Sequence, residues 1–239
     1  GAAGVLNELC RKALAAGNAT LVEAAVRELT ALGPIHPATT ETANLLRVGG
    51  RAELAAALLD KVLQDAPFDL GARLVRAMSA LPVTYDGEAE IEQRRSSYAK
   101  LLSDLDTASA DAAPGDLAAA FEQVGKAKPF YLSYQGLDDS ALQATYGRIV
   151  ARFAQAAIKT PPATSAKQRG RIRVGFASHY FFFHSVSKLF RGWIERLDRE
   201  RFEVIVYDFN TGPPDGWATA IGNAAAHVRR NVGDAAGWA

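Results

Sequence analysis

The fold class is decided by residues 171–210, RIRVGFASHYFFFHSVSKLFRGWIERLDRERFEVIVYDFN. The run RIRVGFAS is β-branched and ends in small residues, whereas FEVIVYDFN is almost continuously apolar, as a buried parallel strand should be. Between these two strands, SVSKLFRGWIERL has helical spacing and is expected to turn four apolar side chains inward, Leu189, Trp193, Ile194 and Leu197.

The stretch WATAIGNAAAHVRR predicts a second helix after these elements. Strand, helix, strand, helix is the opening of a doubly wound α/β domain. Two strands alone would leave most of such a sheet uncovered, so we expect the remainder of the domain to lie beyond Ala239. We also expect both ends of the sequence to be cuts in a longer protein.

Residues 1–80 have the pattern of short amphipathic helices, with breaks at Gly17-Asn18, Gly33-Pro34, Gly49-Gly50 and Ala66-Pro67. Gly17 and Gly50 are 33 positions apart, as are Pro34 and Pro67. This period is typical of tetratricopeptide-like helix pairs, and residues 50–67, GRAELAAALLDKVLQDAP, are the clearest unit. An irregular helical bundle is the alternative, because only two units are visible and the aromatic signature of the repeat is mostly missing.

Residues 81–160 predict a helical connector. Its first helix follows a proline turn, with Asp86 placed as the cap, and residues 108–116, ASADAAPGD, indicate a loop. Helices are predicted at residues 117–124 and 138–157, on either side of the aromatic element PFYLSYQG. In that element, packing between connector and lobe is favoured over acceptor contacts for Tyr131, Tyr134 and Gln135. Residues 160–170, TPPATSAKQRG, have the composition of a linker, and residues 161–239 form the α/β part.

Composition argues against several classes of protein. The formal net charge of +1 gives no general electrostatic case for binding nucleic acid or an anionic membrane. No apolar run reaches the roughly 18 residues that a membrane span needs, and the N-terminus has no signal-peptide pattern. The single Cys10 suits a reducing compartment, so we expect a cytoplasmic location. His36 and His227 have no partner spacing for a metal site, and no metal is predicted.

The loop after the first predicted strand, GFASHYFFFHSVSK, is the candidate site, because ligands bind beyond the carboxyl ends of parallel strands. Its small residues allow a close turn: Gly175, Ala177 and Ser178. The next helix begins near Ser185 to Ser187, where free amides can face a phosphate or a substrate oxygen. There is neither a dinucleotide-binding GxGxxG pattern nor a P-loop lysine. The three consecutive phenylalanines favour packing over recognition.

His184 lies just before that helix. Its imidazole can exchange a proton near neutral pH or bind a phosphoryl or hydroxyl oxygen, although a plain helix cap is an equally ordinary role. Lys188 follows one turn later, where it is either a solvated helix residue or a contact for an anion.

Residues 171–210 resemble the catalytic region of the protein O-GlcNAc transferases, most closely the bacterial SPINDLY-like members of glycosyltransferase family 41. The family pattern runs R-I-R-V-G-aromatic-x-S, a loop of five residues, a histidine, a helix and a K/R-F-E-V strand. His184 stands in the family's histidine position. Upstream, LPVTYDGEAEIEQRR, PFYLSYQGLDD and LQATYGRIV are similar to the helical connector of the bacterial proteins, and the tetratricopeptide-like start fits as well.

The resemblance implies a superhelix of helical repeats joined to a GT-B enzyme with two Rossmann-like lobes, of which this chain holds the incomplete first. It implies inverting transfer of N-acetylglucosamine from UDP-GlcNAc to Ser or Thr hydroxyls of proteins, without a metal or cofactor, with protein acceptors bound through the repeats. His184 would be catalytic, as a base or a positioning group. The expected substrate-binding residues are Ser178, Tyr180, Ser185, Ser187 and Lys188. Without the donor-binding lobe, the chain alone is expected to be inactive.

The loop departs from the family at several positions. Many members have Ser-Asp-Phe-Gly-Asn-His-Pro where this chain has HYFFFHS, residues 179–185, and Lys188 replaces a second histidine of the animal enzymes. Plant SPINDLY proteins use GDP-fucose, so the donor sugar stays open. Two other hypotheses are a repeat-based interaction scaffold with a degenerate or lost catalytic lobe, and an unrelated nucleotide-binding α/β protein with a helical preface.

Overall fold

The computed structural model of the chain describes residues 1–32, 37–158 and 170–230. The chain divides into two compact units, Gly1–Lys159 and Thr160–Ala239. Three features of the sequence fall wholly or mostly outside the described residues: the predicted break at Gly33-Pro34, His36, and the predicted linker at residues 160–170.

The described part of the first unit is helical. Its α-helices are α1 Ala2–Ala15, α2 Ala19–Ala31, α3 Pro37–Val48, α4 Ala52–Asp65, α5 Leu70–Met78, α6 Glu88–Ala110, α7 Pro114–Val124 and α8 Ser140–Ala157. A 3-10 helix, Phe130–Gln135, lies between α7 and α8.

Among the first four helices, α1 packs on α2 and α3, and α3 packs on α4, as in an array of helical repeats. Gly17 and Gly50 end α1 and α3 in the left-handed region, with φ of 67° and 77°, where glycine is the residue without steric cost. The Asn18 side chain then caps α2 by accepting a hydrogen bond from the Leu21 amide at 3.0 Å. The three predicted breaks that lie in the described residues are therefore at the ends of helices, and the tetratricopeptide-like assignment stays a prediction.

One large hydrophobic core extends through the described helices of the first unit, and Ala3 and Leu29 form a small separate cluster. The large core includes Cys10 of α1, Leu46 of α3, Leu74 of α5, Tyr98 of α6 and Phe153 of α8. The predicted repeats and the predicted connector therefore share one core. Within the connector, Arg95 binds the Gln135 and Asp139 side chains at 3.0 and 2.7 Å. Gln135 thus makes its hydrogen bonds inside this unit.

Two predicted boundaries in the connector are wrong. Gly87 occupies the cap position of α6, and the Asp86 amide instead donates a hydrogen bond to the Glu90 carboxylate at 2.8 Å. Helix α6 also continues to Ala110, because Ala108 and Ala110 favour helix and the Ser109 hydroxyl donates to the Asp106 carbonyl. The predicted loop therefore shrinks to residues 111–113, and Pro114 already begins α7.

The second unit contains β1 Ile172–Ser178, α9 Ser185–Arg196, β2 Phe202–Asp208, α10 Gly216–Ala224 and β3 His227–Arg230. The three strands form a parallel sheet in the order β1-β2-β3. In this register Ser178 pairs with Asp208, and Asp208 pairs with Arg230, so the carboxyl ends of all three strands meet at one edge. Loops leaving this edge are brought together.

The predicted helix across WATAIGNAAAHVRR is confirmed only as far as Ala224, and the prediction of two strands is wrong because a third strand follows. Helix α10 ends at Ala224, and Ala225 is extended with φ −93° and ψ 148°. The Ala226 amide then donates to the Val204 carbonyl at 2.8 Å, which directs the chain along β2. Residues 227–230 were missed because this short edge strand is exposed and shows no apolar alternation.

Both helices pack on the same face of the sheet. Ile194 of α9 and Ile221 of α10 join Val204 and Val206 of β2 in one core cluster, together with Phe181. Leu197 packs against this core as predicted.

The prediction that Leu189 and Trp193 point inward is wrong, because these side chains are 71% and 69% exposed. The predicted inward position of Ile194 is confirmed, and Ser187, seven residues earlier, completes the buried stripe of α9.

Candidate active site

The loop between β1 and α9 is fixed by hydrogen bonds at both of its ends. The Ser178 hydroxyl accepts from the Tyr180 amide at 3.0 Å, and the Ser178 carbonyl accepts from the Phe209 amide at 3.1 Å. At the other end, the buried Ser187 hydroxyl donates to the Tyr180 carbonyl at 2.5 Å. The loop is therefore tied both to α9 and to the loop that follows β2.

Asp215 joins the two loops at this edge of the sheet. One carboxylate oxygen accepts from the Phe183 amide at 2.7 Å, and the other accepts from the Trp217 and Ala218 amides and so caps α10. The backbone hydrogen bonds from Ala218 and Phe183 lower the pKa of the Asp215 carboxyl. Sequence reasoning missed this residue, although an aspartate directly before a helix is a recognisable cap signal.

The three phenylalanines of the loop have separate environments. Phe181 is buried in the sheet core, and Phe182 lies tilted against His184 with 5.6 Å between ring centroids. Phe183 meets Trp217 edge to face, with 5.2 Å between the ring centroids. The Arg191 guanidinium lies 4.2 Å from the centroid of the same Trp217 ring. The predicted packing role is therefore confirmed for the buried Phe181, whereas Phe183 is 73% exposed despite its ring contact.

His184 is the cap residue of α9. Its Nδ1 accepts a hydrogen bond from the Val186 amide at 3.2 Å, which requires the lone pair on that nitrogen. The proton of the neutral ring is therefore assigned to Nε2 by this contact. The imidazole also stacks on the Tyr180 ring, with centroids 4.4 Å apart and an interplanar angle of 18°. His184 consequently presents Nε2–H as a hydrogen-bond donor.

The predicted substrate-binding residues fall into two groups. Ser185, Lys188 and the 43%-exposed Tyr180 are exposed next to His184, where a ligand can reach them. Ser178 and Ser187, by contrast, use their hydroxyls within the loop. Contact of any of the five with a substrate stays a prediction.

His179 belongs to the same loop and was noted in the sequence only as a departure from the family pattern. Its Nδ1 lies 3.1 Å from the Phe209 carbonyl oxygen, and its ring meets Tyr180 edge to face at 5.6 Å. The side chain is exposed. The contact with Phe209 joins residues 30 positions apart, so no local pattern of the sequence signals it.

The central strand ends in a buried carboxylate. One oxygen of Asp208 accepts from the Asn210 amide at 3.0 Å, and the other accepts from Arg230 Nε at 3.1 Å. Asp208 is 3% exposed, and its negative charge is balanced by the exposed Arg230. This pair links the carboxyl ends of β2 and β3.

Among residues 1–32, 37–158 and 170–230, no three or more His, Cys, Asp or Glu side chains cluster in a way that could hold a metal ion. None of the helices described in those ranges combines the length and apolarity required to cross a membrane.

The likenesses to known proteins are found among solved structures. No family model and no curated protein sequence matches the chain. Among the solved structures that match is a mutant O-GlcNAc transferase of Thermobaculum terrenum, 18% identical and with a TM-score of 0.42. The match covers 95% of this chain and 41% of that chain. At this identity and TM-score we base no functional argument on the likeness.

Proposed function

We propose that this chain is part of a protein glycosyltransferase that moves a sugar from a nucleotide-sugar donor, UDP-GlcNAc, to Ser or Thr hydroxyls of proteins. The observation that carries the proposal is the ordered set of family-like motifs in residues 171–210, with His184 at the carboxyl edge of the parallel sheet and at the start of α9. In this proposal the transfer inverts the sugar and needs no metal, the helical repeats bind the acceptor proteins, and the enzyme works in the cytoplasm.

The surroundings of His184 suit an anionic, oxygen-rich ligand. Helix α9 begins at the edge where the strands end, and its positive dipole end attracts phosphate oxygens. Lys188 lies on the first turn of the same helix and adds a positive charge. The exposed part of the Tyr180 ring adds an aromatic surface next to the imidazole. These features support a nucleotide-sugar or acceptor contact at this edge.

We assign His184 the role of a positioning group. Its Nδ1 lone pair is used by the Val186 amide, and the remaining nitrogen carries the proton of the neutral ring. In that state the ring donates a hydrogen bond to a substrate oxygen and has no lone pair with which to accept a proton. The geometry therefore favours orientation of substrate over general-base catalysis by this residue.

The test is sugar transfer by the protein that contains this chain, compared with His184→Asn and His184→Ala. Asn places a side-chain oxygen where Nδ1 was and remains a good helix cap, but it removes Nε2–H. We expect both variants to lower transfer from labelled UDP-GlcNAc by about 10²-fold, the typical cost of one lost donor to a reacting oxygen. Wild-type kinetics in His184→Asn would show that His184 is only a cap.

Two parallel measurements identify the donor and the alternative function. Transfer is measured with GDP-fucose and with UDP-GlcNAc, and the sugar that is transferred identifies the donor. Binding of acceptor proteins without turnover of either donor would favour the interaction scaffold instead. The 239-residue chain by itself is expected to show no turnover, because the donor-binding residues of the family lie in a second lobe.

A further inference from the structure

The two histidines of the loop both contact the Tyr180 ring, and the hydrogen bonds of their Nδ1 atoms run in opposite directions. His184 stacks on the Tyr180 ring, and His179 meets the same ring by its edge. Both histidines belong to the loop that leaves β1 at the carboxyl edge of the sheet. In each histidine Nδ1 is bound to the backbone and Nε2 is left for a ligand. The two Nε2 atoms differ chemically, because a carbonyl oxygen binds Nδ1 of His179 and an amide binds Nδ1 of His184.

The Phe209 carbonyl determines the arrangement at His179. A carbonyl oxygen only accepts hydrogen bonds, so the 3.1 Å contact places a proton on His179 Nδ1. The neutral ring then carries its free lone pair on Nε2. At His184 the donor is the Val186 amide, so the lone pair is on Nδ1 and the proton is on Nε2. His179 is thus the histidine whose outer nitrogen can accept a proton.

We propose that His179 Nε2 is the proton acceptor in the sugar transfer, with His184 Nε2–H as its hydrogen-bond-donating neighbour. This inference rests on the proposed function. As the acceptor hydroxyl oxygen forms its bond to the anomeric carbon, its proton moves to His179 Nε2. The bond between that carbon and the diphosphate oxygen breaks, and its electron pair leaves with the nucleoside diphosphate. Atoms and charges balance without any additional reactant.

The anchoring of His179 supports this role. A general base works best when a third group holds its ring in one tautomer and one orientation. The Phe209 carbonyl does both, and Phe209 is itself tied to β1 through the bond from its amide to the Ser178 carbonyl. The imidazole is exposed, so its Nε2 is accessible to a hydroxyl group of an incoming protein.

The first experiment reads the ring nitrogens directly. Long-range proton–nitrogen NMR spectra of the ¹⁵N-labelled chain distinguish the two neutral tautomers of each histidine. We expect the Nδ1–H form for His179 and the Nε2–H form for His184. An Nε2–H form at His179 would overturn the inference, whatever the activity of the protein is.

The second experiment separates a base from an anchor. In His179→Asn the side-chain amide keeps a donor for the Phe209 carbonyl but offers no basic nitrogen, whereas His179→Ala loses both. If His179 accepts the proton, both variants lose 10²- to 10⁴-fold, roughly, in kcat with little change in KM. Added imidazole then restores part of the activity of His179→Ala. A His179→Asn protein with wild-type kcat would reduce His179 to an anchor and overturn the inference.

The outcomes also separate this inference from the proposed function. A wild-type protein that transfers no sugar from any nucleotide donor contradicts the proposed function and the role of His179 together. A wild-type protein that transfers sugar, combined with an active His179→Asn variant, contradicts the inference alone.

Discussion

The imidazole of His184 lies flat against the phenol ring of Tyr180, with 4.4 Å between the ring centroids and 18° between the planes. Its Nδ1 is at the same time held by the Val186 amide at 3.2 Å. Stacking fixes the plane of the imidazole and the amide fixes its rotation in that plane, so the direction of Nε2–H is set before any ligand arrives. Such preorganised donors are what lowers the barrier for charge movement in an active site.

Replacement of His184 should separate helix capping from ligand contact. His184→Ala removes the acceptor for the Val186 amide, and we expect it to lower the free energy of unfolding of the second unit by about 1 kcal/mol. His184→Asn should change that free energy by only a few tenths of a kcal/mol, roughly, because Asn is also a good helix cap. Urea titration followed by amide exchange in α9 measures both values. Equal stability of the two variants would show that the cap contributes nothing.

The carboxylate of Asp215 should couple the two loops. Asp215→Asn keeps an oxygen for the cap of α10, but its amide nitrogen cannot accept from the Phe183 amide. We expect faster hydrogen exchange at Phe183 in Asp215→Asn with little change at Ala218, and faster exchange at both sites in Asp215→Ala. Unchanged exchange at Phe183 in either variant would contradict the link between the loops.

The same carboxylate gives a pH dependence with a definite sign. The pKa of Asp215 is lowered from its ordinary value of 3.8 by backbone hydrogen bonds, so its contribution to stability is complete above that value. It is lost as pH falls through the lowered pKa of the folded chain. The stability difference between wild type and Asp215→Asn should therefore be constant from neutral pH to about pH 5 and shrink in stronger acid. A difference that grows on acidification would reverse the assignment.

Gly175 should be required by its neighbour on β2. A Cβ at this position would lie 3.1 Å from Cε2 of the Tyr207 ring, so in Gly175→Val that ring must shift by a few tenths of an ångström. We expect a loss of about 1–3 kcal/mol in the free energy of unfolding, relieved when Tyr207→Ala is combined with it. Gly192→Ala is the control, since a methyl group there meets nothing within 4 Å, and it should stabilise α9 by roughly 0.5–1 kcal/mol. Additive effects of the two β-strand substitutions would exclude the predicted clash.

The buried stripe of α9 can be tested with two adjacent residues. Ile194 is 1% exposed and belongs to the sheet core, whereas Trp193 is 69% exposed. Ile194→Ala should cost about 2–5 kcal/mol, and Trp193→Ser should change the free energy of unfolding of this chain by no more than about 0.5 kcal/mol. Thermal and urea unfolding of the two variants provides the comparison. The reverse order would restore the inward Trp193 predicted from the sequence.

Sequence patterns were sufficient to predict a helix or a strand where the hydrophobic pattern extends over the whole element. The apolar run at β2 and the helical spacing of α8 and α9 gave elements close to their observed bounds. The rotation of α9 could not be predicted in this way, because Leu189 and Ile194 are both apolar. It is fixed by a tertiary contact, the bond from the Ser187 hydroxyl to the Tyr180 carbonyl, together with burial of Phe181.

In the candidate site, too, some features follow from the local sequence and others depend on tertiary contacts. The position of His184 before a helix at the end of a strand follows from the local pattern. The tautomers of His179 and His184 depend on individual backbone groups, and the Phe209 carbonyl comes from another loop. The link from Asp215 to Phe183 likewise spans 32 residues. Only the register of the parallel strands brings such groups together, and the hydrophobic pattern carries no information about them.

The contact between Phe183 and Trp217 also makes the loop optically visible. Indole fluorescence responds to nearby charges and to the polarity of its surroundings, and Trp217 has a guanidinium 4.2 Å from its ring centroid and the loop's Phe183 at its edge. With the two other tryptophans, Trp193 and Trp238, changed to phenylalanine, emission would come from this one indole. Arrival of a donor or an acceptor at the loop could then be followed in real time, without a label and without waiting for a product.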